Sequence, residues 1–157
     1  MKKINIVYIL GVSYSGSTLL SYLIGASEKV WNLGELKQIK EKRENTPNRV
    51  CTCGQKIQEC SFWSKYEKTY TPYIEESLVR KTRIILKILL KKVFLTNQLS
   101  DTEDHKILYD IQKDQKRNKI ESNYFLDSSK SLWRLIYLMK CKNINLKVIY
   151  LSKEMNS

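Results

Sequence analysis

Residues 11–25 read GVSYSGSTLLSYLIG and follow directly on the apolar, β-branched run Ile4 to Leu10. Gly11 and Gly16 enclose four residues, and Ser17-Thr18 come next. The string therefore fits a phosphate-binding loop at every defined position except the lysine, whose place Ser17 takes. The run before it reads as a strand buried on both faces of a parallel sheet. The residues after it predict a helix from about Ser17 to Ala26, with Leu19, Leu20, Tyr22, Leu23 and Ile24 packing one side and Gly25 near its end. In such a strand, turn and helix, the N–H groups of Ser15, Gly16, Ser17 and Thr18 can face an anion at the helix N-terminus, and two hydroxyls stand beside them. Without the lysine the charge of a β,γ-phosphate pair is poorly neutralised, and no magnesium-holding aspartate stands out at the end of a later strand. Hydrolysis of ATP or GTP is disfavoured, whereas a 5′-phosphate held through backbone donors fits. The competing reading is a turn in which the glycines serve only the backbone.

Working outward, Trp31 to Glu35 leads into a charged stretch, Leu36 to Glu44, helical in its first turns. Cys51 to Cys60 reads as a compact loop. Tyr73 to Asn97 is helix-like, with a wide apolar face (Leu78, Ile85, Leu86, Leu89, Val93) and a basic stripe, and a polar helix is expected over Asp101 to Glu121. Tyr124 to Leu126 predicts a short strand, Ser131 to Lys142 a helix and Leu146 to Leu151 another buried strand. Strand, helix and strand imply a right-handed parallel crossover, so the class is α/β. Three strands make a thin sheet: either others lie in the middle of the chain, or this is the front part of a longer protein.

At 157 residues the chain has the size of one domain, and its apolar (42%) and charged (28%) fractions are those of an ordinary globular protein rather than a disordered one. A net charge of +12 suits an anionic partner, but lysine far outnumbers arginine and Ile, Asn and Tyr are abundant, so much of the charge is read as compositional background. The Met-Lys-Lys start invites a secretory signal, which the polar Ser13 to Thr18 interrupts. Lys87, Lys91 and Lys92 break the best candidate for a membrane-spanning run. A soluble, cytoplasmic protein is expected.

Four short segments, in order, resemble the sulfotransferases that use 3′-phosphoadenosine-5′-phosphosulfate (PAPS). Ser13 to Leu20 resembles their 5′-phosphosulfate loop. Leu33-Gly-Glu-Leu36 is similar to the Gly-Glu segment of the tyrosylprotein and bacterial branches. Cys51-Thr-Cys-Gly54 with Glu59-Cys-Ser-Phe-Trp63 resembles an insertion of bacterial members, and Phe125-Leu-Asp-Ser-Ser-Lys130 their strand-end Asp-Ser-Ser-Lys segment. The resemblance covers nearly the whole chain, weakly from about 65 to 120. It implies a P-loop NTPase-like parallel sheet flanked by helices, incomplete at its C-terminal side. The organisation it implies is one sulfotransferase-like domain over 1–157, with a Cys-containing insertion at 48–63 and a helical segment at 73–121. It also implies PAPS as co-substrate without a metal, Tyr14, Ser15, Gly16, Ser17 and Thr18 around the 5′-phosphosulfate, and Glu35 as the base that takes the acceptor's proton.

Two departures accompany it. Tyr14 stands where many members carry a catalytic Lys or Arg, and Lys130 is the candidate to supply that cation. Lys153 and Glu154 replace the Arg-Asp pair that ends a family strand, so Lys153 is the candidate for the 3′-phosphate. The plain alternatives are a solvated Glu35 at a helix start, an Asp127 or Ser128 that caps the next helix, and exposed lysines. The acceptor, a hydroxyl or an amine, is not identified, and oligomeric state is left open. No nucleic-acid partner is expected, while contact of the basic helix with an anionic membrane surface stays open.

Cys51, Cys53 and Cys60 could be three ligands of a zinc site, but the fourth cysteine, Cys141, is distant. Free thiols, or a disulfide in an oxidising compartment, are the expectation, and no metal is assigned. His105, the single histidine, is read as solvated. The rival functions are a basic surface-binding module without catalysis and a kinase with an atypical P-loop.

Overall fold

The computed structural model describes residues 3–36, 50, 51, 53–56, 59–67, 103–117, 120 and 122–152. Its centre is β1 (Ile4–Gly11), where Ile4, Ile6, Tyr8 and Ile9 are all but fully buried. Consecutive buried residues, Tyr8 and Ile9, point to opposite faces, which is why the run reads as continuous rather than alternating. β1 pairs in parallel with β3 (Tyr124–Asp127) on one side and along its whole length with β4 (Ile144–Leu151) on the other. A third partner, β2 (Val30–Asn32), pairs with β3, so the four-stranded all-parallel sheet runs β2-β3-β1-β4. The expected strands are all present, and β2 is the one hidden from the sequence. Three half-buried residues ending in Asn32 are too few to show a period.

The chain leaves β1 through α1 (Ser17–Gly25) toward β2, and leaves β3 through α4 (Leu132–Lys140) in the opposite direction, toward β4. Right-handed crossovers running in opposite directions place the two helices on opposite faces of the sheet. The direction changes between β1 and β3, and the carboxyl end of such a switch point is where open α/β sheets bind ligands. Two more helices, α2 (Trp63–Glu67) and α3 (Glu103–Arg117), complete the described elements. Residues of α2, α3 and α4 share one apolar cluster with Ile4, Ile6, Tyr8 and Phe125.

The expected packing of α1 is corrected. Its buried residues are Ser17 and Ser21, while Leu19, Tyr22 and Leu23 are more than half exposed. Ser17, Ser21 and Gly25 recur every four residues, so the face against the sheet is a small-residue stripe that permits close approach. A Cβ at Gly25 would lie 2.8 Å from Asn32 Cβ, and Asn32 Nδ2 donates to the Ser21 carbonyl at 2.8 Å. Gly25→Ala is therefore expected to destabilise by about 1–2 kcal/mol, since overpacking costs about 1–3 kcal/mol and outweighs alanine's better helix propensity. Urea unfolding would measure it, and an alanine variant as stable as the parent would show that the contact is loose.

The helix α3 is less polar in space than in sequence. Leu108, Ile111 and Gln115 fall on one face and are buried, together with Ile107. His105, expected in solvent, is 2% exposed and its ring stacks with Tyr109 at 6.3 Å. Asp114 ties α3 to α2: it accepts from the Tyr66 hydroxyl at 2.5 Å and pairs with Lys65. Hydrogen bonds from Lys65 and then Tyr66 hold the Asp114 carboxyl below the usual range, and burial with the Asp114 bond pushes the Tyr66 phenol up. The remainder of the predicted 73–121 helical segment, the helix of 73–97 included, lies outside the described residues, as does most of the Leu36 to Glu44 stretch. Among the described residues no helix is long and apolar enough to cross a membrane.

Candidate functional site

The loop between β1 and α1 turns through two left-handed residues, Tyr14 (φ 62°) and Gly16 (φ 78°). Gly16 is the N-cap of α1 and no side chain caps the helix there, so the first N–H groups of α1 are left to an outside partner. A Cβ on Gly16 would meet nothing within 4 Å. Glycine is thus required by its backbone angle, and the space above it is open. Ser17 is buried and Thr18 exposed. The Ser15 hydroxyl is buried, turned in against Gly11, and has no hydrogen-bond partner among the described residues. Tyr14 is 94% exposed, so its phenol stands in solvent, apart from the charged pair described next.

The β2 exit carries Glu35 to its place in three steps. Leu33 N–H donates to the Leu126 carbonyl at 2.9 Å, which extends the β2–β3 ladder past the last strand residue. Gly34 then adopts φ 66°, its N–H on Asn32 Oδ1 at 2.9 Å, and its carbonyl accepts from Ser128 N–H at 2.9 Å. Glu35 follows, and its Oε1 lies 3.0 Å from Lys130 Nζ. The two residues expected to do catalytic work, nearly a hundred positions apart, form one ion pair about four-fifths to three-quarters buried, with side chains 19% and 25% exposed.

The β3 exit holds Lys130 through a buried network. Asp127 accepts from Ser129 N–H at 3.0 Å and Ser129 Oγ at 2.5 Å through Oδ1, and from Arg134 Nε at 2.6 Å through Oδ2. Asp127 and Arg134 are 1% and 0% exposed. This commits the strand-end aspartate of β3 to a structural partner. The N-cap of α4 is not Asp127 or Ser128 but Ser131, whose Oγ accepts from Arg134 N–H at 3.4 Å. Tyr8 braces the same turn, its hydroxyl donating to the Ser131 carbonyl at 2.8 Å and accepting from Ser131 N–H at 2.9 Å. Burial, reinforced by the Asp127 charge, pushes the Tyr8 phenol up and keeps it neutral. Between these anchors Lys130 takes φ 58°, a left-handed angle uncommon for a side chain of its size.

Sequence reasoning missed Arg134. The available signal is an arginine in the first turn of an otherwise apolar helix, on the same side as Leu135 and Leu138, which calls for a buried acid opposite. It also missed the cavity of about 400 Å³ beside Glu35, lined on one side by Thr18, Ser21 and Tyr22 of α1 and on the other by Cys51 and Trp63, with Ser128 at its end. That volume lies in the range of small-molecule sites.

Cys51 of that lining converges with Cys53 and Cys60: Cys60 Sγ is 3.6 Å from both other sulfurs. No disulfide links any of the four cysteines. Cys141 is elsewhere, at the end of α4, its thiol on the Tyr137 carbonyl. Lys153, the residue expected at a 3′-phosphate, lies outside the described residues. Comparison with protein-family models, with curated proteins and with solved structures gives no match for this chain.

Proposed function

We propose that the chain is a sulfotransferase-like protein of P-loop NTPase-like fold, which binds PAPS at the β1–α1 loop and moves its sulfuryl group to an acceptor in the adjoining cavity. The observation that carries the reading is the Glu35–Lys130 pair, whose Glu35 lines the same cavity as Thr18 in the first turn of the uncapped helix α1. The anion loop supplies donors without a lysine or a magnesium ligand, since Asp127 is taken by Arg134. This suits a reaction that needs no metal.

In the proposed step an acceptor hydroxyl or amine attacks sulfur in line, and the bond from sulfur to the bridging phosphate oxygen breaks. The electron pair leaves with adenosine 3′,5′-bisphosphate, and the acceptor's proton passes to Glu35. Backbone N–H groups at Gly16, Ser17 and Thr18 face the charge growing on the leaving phosphate. Lys130, released from Glu35 as that carboxylate gains the proton, supplies the cation that Tyr14 does not. An Oε1 already held at 3.0 Å from an ammonium is prevented from turning away into solvent before the acceptor arrives.

Thermal unfolding with added ligands tests the binding half. Adenosine 3′,5′-bisphosphate at a hundred times its dissociation constant is expected to stabilise the fold by about 2.7 kcal/mol, and ATP with magnesium to do less. Gly16→Val should remove the effect, because a β-branched residue cannot take φ 78° and its methyls would occupy the anion's space. Stabilisation by ATP with magnesium alone would point to a kinase, and none by either ligand would leave a loop that serves the turn only.

A further inference from the structure

Cys51, Cys53 and Cys60 are more ordered than a set of unrelated thiols requires. Val50 and Lys56 form an antiparallel bridge, Cys51 N–H donates to the Gln55 carbonyl at 2.7 Å, and Gly54 N–H donates back to the Cys51 carbonyl at 2.9 Å. Gly54 closes the turn at φ 85°, a left-handed angle that its lack of a Cβ permits. This tight loop sets the Cys51 and Cys53 sulfurs on one side. Cys60 arrives from the turn before α2, its N–H on the Lys56 carbonyl at 2.8 Å and its own carbonyl accepting from Ser64 N–H at 2.8 Å. The three sulfurs all lie within 4.8 Å of one another.

Those spacings are those of a metal site. Thiolates about 2.3 Å from a tetrahedral zinc ion stand about 3.8 Å apart, close to the 3.6 Å from Cys60 to each of its neighbours. The cluster is graded from buried Cys60 through Cys51 to exposed Cys53, so an ion can enter from the solvent side without unfolding the core.

We propose that Cys51, Cys53 and Cys60 bind one thiophilic divalent cation, zinc, as a structural site that fastens the hairpin to α2. Each thiol releases its proton to solvent on binding, and water as fourth donor completes the tetrahedron. The ion holds the cavity wall in place, because Cys51 and Trp63 line the space beside Glu35. The site stands whether or not the proposed transfer reaction does.

The full chain, purified anaerobically with its thiols reduced and stripped by chelator, is titrated with Co²⁺. One equivalent is expected to give a thiolate-to-cobalt charge-transfer band and the intense visible bands of a tetrahedral site, both erased by Zn²⁺. Cys53→Ser, at the exposed ligand, should weaken Co²⁺ binding at least tenfold, while Cys141→Ser leaves it unchanged. No tetrahedral spectrum from the reduced parent chain would overturn the proposal. So would a spectrum that Cys53→Ser leaves intact or that Cys141→Ser abolishes.

Discussion

Arg134→Met is expected to destabilise the protein by about 3–5 kcal/mol, because it leaves the Asp127 carboxylate buried without its cation. For a chain of this size that is a fall in melting temperature on the order of 10 °C. The effect should reach the site as well. Asp127 Oδ1 holds Ser129, and Ser129 precedes Lys130, whose left-handed backbone depends on that turn. Replacing both partners, Asp127→Leu with Arg134→Met, is expected to recover much of the lost stability, because two apolar side chains carry no desolvation cost. Thermal and urea unfolding of the two single variants and the double variant give the coupling energy. A single Arg134→Met variant that melts with the parent would mean that the pair contributes little.

Glu35→Gln carries the largest expected effect on chemistry. If Glu35 takes the acceptor's proton, sulfuryl transfer should fall by roughly 10²–10⁴-fold. Glutamine keeps an oxygen for Lys130 Nζ, so the fold should lose only about 1 kcal/mol and stabilisation by adenosine 3′,5′-bisphosphate should persist. Transfer from radiolabelled PAPS to a panel of hydroxyl and amine acceptors reads the first effect, and thermal shift the second. Undiminished transfer in Glu35→Gln would remove Glu35 from the reaction. Loss of bisphosphate binding would recast the pair as a structural clasp for the β1–α1 loop.

Much of the frame was legible because it is local. Ile4 to Leu10 declared a buried strand through its unbroken apolar run, and the glycine spacing after it declared a turn into α1. Strands β1 and β3 are as buried as their apolar runs announce, whereas β4, expected to be buried, is an edge strand that keeps only Ile144 in the core and leaves Val148 and Tyr150 exposed. The short strand β2 has no sequence signal, since its ladder is made by pairing with β3 rather than by any preference of Val30, Trp31 and Asn32. The buried face of α1 was misread because its apolar residues are numerous, whereas the sheet selects the smallest face, Ser17, Ser21 and Gly25, for closest approach. In α3 the error ran the other way, where a mostly charged helix still buries His105, Leu108, Ile111 and Gln115.

What the sequence determined by itself is the set of chemical groups and the local turns that present them: a lysine-free glycine loop, a glutamate after a glycine, a lysine after Asp-Ser-Ser and three clustered cysteines. Only the tertiary structure decided who meets whom. Glu35 and Lys130 become an ion pair because the β2–β3 ladder continues through Leu33 and Gly34 to Ser128, and backbone pairing sets that register over long separations. Asp127 becomes the partner of Arg134 because a buried carboxylate must find a donor, and α4 offers one in its first turn. A one-dimensional pattern records spacing along the chain, while contact across it is set by which strands pair and which helix faces fit.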